Sequence, residues 1–76
     1  MPHIIIKLLK GKSEEQKKKL AEEIVKTSMP IVSYGEEAFS VTIEDIEPKE
    51  WAEKVYKPEI MGQKDKLYKE PGYKMW

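Results

Sequence analysis

Apolar residues crowd the start of the chain. Ile4-Ile5-Ile6 and Leu8-Leu9 are interrupted only by Lys7. A short β-branched run of this kind predicts a strand over residues 4–9, covered on both faces. Gly11 ends it. The spacing then changes: Leu20, Ala21, Ile24, Val25 and Ser28 recur every three or four residues and lay one apolar stripe along a helix. Ser13 and Gln16 have the spacing of a capping box at its start, and Glu14 and Glu15 suit the positive end of its dipole. Lys17, Lys18, Lys19, Glu22, Glu23 and Lys26 read as its solvated face, and Pro30 marks its end or a kink near it. After a turn-rich stretch over 33–37 the pattern becomes alternation. Phe39, Val41 and Ile43 face one way, Ser40, Thr42 and Glu44 the other, which predicts a second strand. Strand, helix and strand in this order predict a βαβ unit with parallel strands and a right-handed crossover.

Beyond it, Glu47-Pro48 reads as a helix start with proline in the first turn, and Trp51 and Val55 share a face. Pro58 breaks or restarts that helix. Ile60, Gln63, Lys64 and Leu67 carry a weaker helical pattern to Lys69, and Pro71-Gly72 makes a turn. Tyr73, Met75 and Trp76 form an apolar terminus that is costly in water unless it docks. The expected class is mixed α/β (α+β): one βαβ unit with a C-terminal helical segment, a single domain over 1–76. Two strands are too few for independent stability. Two units are therefore expected to pair into a four-stranded sheet with helices on one side.

Composition strengthens the oligomer argument. A chain of 76 residues buries only about 60% of its unfolded surface. It has no Cys and one His, so neither disulfides nor a zinc or iron centre is expected to staple it. The 14 basic residues balance 14 acidic ones. All are lysine, which disfavours a nucleic-acid partner, because arginine makes the two-pronged contacts to bases and phosphates. No apolar stretch is long enough to span a bilayer and no secretory leader pattern is present, so a cytoplasmic protein without membrane contact is expected.

The candidate chemistry sits at Pro2. Once Met1 is removed, Pro2 carries a free secondary amine at the start of a buried strand. Apolar surroundings disfavour the protonated form and lower the basicity of such an amine into the range of a general base. With Met1 in place the nitrogen is an amide and has no such role.

Pro2-His3-Ile4-Ile5-Ile6-Lys7, followed by Leu9-Lys10-Gly11-Lys12-Ser13-Glu14-Glu15-Gln16-Lys17, resembles the catalytic strand, loop and helix start of the 4-oxalocrotonate tautomerase family. Ile46-Glu47-Pro48-Lys49-Glu50-Trp51 and Lys69-Glu70-Pro71-Gly72-Tyr73 resemble its longer bacterial members, which add a C-terminal helix. The resemblance implies a cofactor-independent tautomerase acting on a small keto or enol acid, with Pro2 as base. It implies that Lys12 binds the substrate carboxylate, at a position where the family commonly has arginine, and that Trp51 walls the pocket. By the same alignment Ser40 stands where a second arginine is common. Without two arginine clamps a monoacid such as phenylenolpyruvate fits better than a diacid. Ser40 then offers a hydrogen bond, and Phe39 is either a pocket wall or core packing. His3 and the lysine run 17–19 are read as structural. The longer members resemble plain dimers, so a homodimer is expected. The competing readings are a hydratase or dehalogenase-type relative and a non-catalytic βαβ dimer that binds a small molecule or a protein.

Overall fold

The computed structural model describes residues 1–75. It consists of a strand β1 (His3–Leu9), a helix α1 (Glu14–Val32), a short 3-10 turn (Glu36–Ala38) and a strand β2 (Ser40–Ile46). The C-terminal segment follows as a 3-10 turn (Pro48–Glu50), a π-wound stretch (Ala52–Ile60) and a 3-10 stretch (Met61–Lys66). The two strands pair in parallel, with His3 opposite Ser40, Ile6 opposite Ile43 and Leu9 opposite Ile46. The backbone N–H of Lys10 extends the ladder by donating to the Ile46 carbonyl at 2.9 Å. The expected βαβ unit with its C-terminal helical segment is therefore present.

Helix α1 begins where the sequence dictates. The Ser13 hydroxyl accepts from the Gln16 N–H at 3.1 Å, and the Gln16 side chain accepts from the Ser13 N–H at 2.9 Å. The two bonds satisfy donors that the first helical turn would otherwise leave unpaired. Pro30 lies inside the last turn and the helix runs two residues past it. It closes at Ser33, in left-handed conformation at φ 61°, whose N–H donates to the Met29 carbonyl.

The strand register sorts the sheet into two faces. Ile4, Ile6, Val41, Ile43 and Asp45 share the face toward α1, where Lys17 closes onto Asp45 Oδ2 at 2.8 Å and onto Glu14 at 3.2 Å. The reading of Lys17 as a solvated residue is thus corrected: its side chain is only 15% exposed. It lies four residues before Ala21, on the apolar stripe, and its stem packs while its head reaches the strand end.

His3, Ile5, Lys7, Leu9 and Ile46 share the other face. The C-terminal segment lies over its far half, where Lys7 pairs with Glu59 and Ile46 is buried. The near half is open, and Ile5 is 61% exposed. Cover on both faces of β1, as the apolar run predicts, is therefore incomplete within one chain.

The C-terminal segment departs from a plain α-helix. The winding continues through Pro58 to Ile60, and the N–H of Met61 donates to the carbonyl of Tyr56, five residues back. In an α-helix a proline ring clashes with the carbonyl four residues earlier; a wider turn moves that carbonyl away. The weaker pattern toward Lys69 stops early, because Gln63 leaves helical geometry and Leu67 is extended. Trp76, part of the expected apolar terminus, lies outside the described residues.

Ile46, Val55 and Tyr56 form the buried core, all at the junction of the sheet with the C-terminal segment. No residue of α1 is fully buried. The radius of gyration is 13.9 Å, against about 11 Å for a compact chain of this length. The unit is flat, with extents of 40 × 31 × 18 Å, as a layer that needs a second layer would be.

The ion pairs set an alkaline limit on stability. Lys7 is held above its ordinary 10.5 mainly by its hydrogen bond to Glu59, and Lys17 mainly by that to Asp45. A lysine raised in the folded state stabilises fully below its unfolded value and loses that contribution as pH rises through the folded one. Thermal stability is therefore expected to fall above pH 10.5. The Lys7→Met and Lys17→Met double variant, scanned by calorimetry, should show a shallower alkaline decline; an unchanged decline would clear these lysines.

Candidate active site

Pro2 precedes β1 and is half-buried, and its carbonyl accepts from the Ser40 N–H at 3.2 Å. Strand pairing thus fixes the residue whose nitrogen would be the base. Met1 ahead of it is 94% exposed. Ser40 is brought beside Pro2 through this backbone bond, but its hydroxyl is engaged elsewhere: His3 Nδ1 lies 2.7 Å from Ser40 Oγ. This pairing ties His3 to the second strand, a structural contact whose partner the sequence reading does not name. The signal is the register, which puts positions 3 and 40 directly opposite; it becomes readable only once the two strands are aligned.

Phe39, just ahead of β2, is half-buried. It lines a groove of 620 Å³ between α1 and β2 with Ala21, Val25, Met29 and Val41. Its surroundings are those of a residue packed between helix and strand.

Lys12 and Trp51 lie at the other end of the sheet. Gly11, at φ 132°, turns the chain out of β1 in a backbone region that side chains disfavour, and so delivers Lys12 to the exposed loop. Three lysines gather there. Lys10 is paired with Glu47 at 3.2 Å and Lys17 with Asp45. Among the described residues, Lys12 is the one of the three without a carboxylate partner. Trp51 closes this end with Leu9 and Pro48, in a pocket that the C-terminal residues Tyr73 and Met75 complete. Its indole N–H donates to the Tyr73 hydroxyl at 3.0 Å.

Within one chain the five candidates therefore form two groups. Pro2, Phe39 and Ser40 stand at the start of the strands; Lys12 and Trp51 stand beyond their ends. The seven residues of β1 separate the groups by about 20 Å. One chain places Pro2 and Lys12 at opposite ends of its sheet, not in one cavity.

Among the described residues no helix is long and apolar enough to cross a membrane. The family described as "Tautomerase enzyme" matches residues 2–56. A probable tautomerase of Xylella fastidiosa is 38% identical over 73 residues, covering 96% of this chain and 89% of that protein. Tautomerase PptA of Cronobacter sakazakii is 33% identical over 76 residues, covering 99% of this chain and all of that protein. Tautomerase PptA of Klebsiella pneumoniae is 37% identical with the same coverage. A family match that opens at Pro2 and spans the whole βαβ unit, with relatives alike along nearly their full length, shows that the chain belongs to the tautomerase family of enzymes.

Proposed function

We propose that the chain is a tautomerase in which the free amine of Pro2 is the general base, and that its substrate is a small monocarboxylic enol or keto acid such as phenylenolpyruvate. The amine takes the proton of the enol hydroxyl. The O–H electrons form the carbonyl, the carbon–carbon double bond opens, and the protonated amine returns a proton to the neighbouring carbon. The amine is restored, so the cycle balances without a co-reactant. Lys12 holds the carboxylate and the charge that spreads onto it.

The observation that carries this reading is the placement of the half-buried Pro2 and the unpaired Lys12 at opposite ends of one strand. In this reading a second copy runs antiparallel along the edge of β1 that β2 leaves unpaired. That pairing would make a four-stranded sheet and bring Pro2 of one chain to Lys12 and Trp51 of the other. The flat unit with no fully buried residue in α1 supports the same homodimer. The C-terminal segment, lying over part of the outer face, supports a dimer over a larger ring.

The test is ketonisation of phenylenolpyruvate, followed by ultraviolet absorbance. Protein shown by intact mass to lack Met1 is compared with protein extended at its N-terminus. Activity confined to the processed form supports the amine; equal rates, or none above buffer, would overturn it. Lys12→Ala is expected to raise KM about tenfold with a smaller change in kcat, as loss of ground-state binding does. Lys12→Arg should lower KM through two-pronged contact. A Lys12→Ala variant with unaltered KM would return Lys12 to the solvated loop.

A further inference from the structure

The C-terminal segment builds part of the site's wall. Tyr73 and Met75 come back over the end of β1 and, with Leu9, Pro48 and Trp51, close a pocket of 340 Å³. The lining is apolar. The polar group that Trp51 brings is satisfied by the Tyr73 hydroxyl. Tyr73 is anchored in turn to the core: its ring lies 5.7 Å from that of Tyr56, tilted by 39°, and Tyr56 is buried. Tyr73 itself stays 44% exposed, so it presents a face to an incoming molecule.

The chemistry of the lining says what fits. A second carboxylate would leave water here with no cation in the wall to receive it. An aromatic ring gains by burial and by offset or edge contacts with Trp51 and Tyr73, while the thioether of Met75 adapts to its outline. We propose that this pocket is the subsite for the aryl substituent of the enol acid, and that Tyr73 and Met75 determine the preference for it. The proposal rests on the antiparallel dimer above, which sets Pro2 of a second copy at this end of the sheet. The family match stops at residue 56. Trp51 lies inside it and the two further walls lie beyond it, so the preference belongs to the longer form of the chain.

The test compares kcat/KM for phenylenolpyruvate with that for 2-hydroxypenta-2,4-dienoate, an enol acid without a ring, using the processed full chain. Tyr73→Ala and Met75→Ala are each expected to lower the ratio, Tyr73→Ala by about tenfold and mainly through KM. Tyr73→Phe keeps the ring against Tyr56 and should retain the ratio within about threefold. Equal losses on both substrates in Tyr73→Ala, with Pro2→Ala at least a hundredfold slower on both, would overturn the subsite and leave the base in place. Should Pro2→Ala remain fully active, or no turnover be seen, binding decides the matter. In a Trp76→Phe chain Trp51 is the remaining tryptophan, and its fluorescence reports trans-cinnamate against acrylate. Tighter cinnamate binding that Tyr73→Ala abolishes supports the subsite; equal binding of the two acids overturns it.

Discussion

Replacing Pro2 with Ala in processed protein is expected to lower kcat/KM for phenylenolpyruvate about a hundred- to ten-thousandfold, the range that a positioned general base contributes. The loss is not total, because the substituted alanine would still carry an amine, one that titrates near pH 8 in free peptides. What disappears is the ring that makes the amine secondary and fixes its direction. The fold has little reason to change. The Pro2 carbonyl accepts from the Ser40 N–H, and alanine keeps that carbonyl. Circular dichroism should therefore superimpose on the parent while stopped-flow absorbance shows the collapse. The acid side of the pH–rate profile should shift in the variant as well, since it reports the amine that must be unprotonated. A variant with parental rates would show that the proline ring is not needed, and the N-terminally extended protein would then decide whether the amine is the base.

Tyr56→Ala carries the second large effect. Ile46, Val55 and Tyr56 are the buried core, and Tyr56 also supports Tyr73. Removing a buried aromatic ring costs about 3–5 kcal/mol, against a total stability of about 5–15 kcal/mol for a small domain. The urea midpoint should fall by about a fifth or more of its value, or the chain should fail to fold at micromolar concentration. Tyr34→Ala, at a position 49% exposed, should stay within about 0.5 kcal/mol of the parent. Both should be measured at one protein concentration, because the midpoint of the proposed dimer would depend on it. Matching midpoints for the two variants would show that the core lies elsewhere, in the contacts between copies.

Much of the architecture was legible because it is local. The capping box reads from residues 13 and 16 alone, and the stripe from Leu20 to Ser28 needs only the helical period. The second strand follows from alternation. Pro58 misleads for a physical reason: a proline excludes an α-helix, but not the wider winding that Ala52–Ile60 adopts. Lys17 misleads because it sits in a run of lysines, and the contact that sets it apart is to Asp45, 28 residues on. Of the candidate site, Pro2 stands out at the head of the apolar run, and Lys12 and Trp51 enter as candidates through family resemblance. That Ser40 is engaged with His3 was not legible, whereas the packing of Phe39 between helix and strand is the core reading that the alternation allows.

The sequence by itself therefore determined the order β1, α1, β2, the parallel pairing and the proline at the head of the first strand. Each follows from periodicity, capping or chain order, which act over a few residues. Only the tertiary structure decided which face of the sheet the C-terminal segment covers and that Tyr73 seals the wall around Trp51. Those outcomes depend on side chains far apart in sequence meeting across a sheet: Trp51 and Tyr73 are separated by 22 residues and Lys7 and Glu59 by 52. No local pattern encodes such a meeting, because its free energy exists only once the surfaces are together.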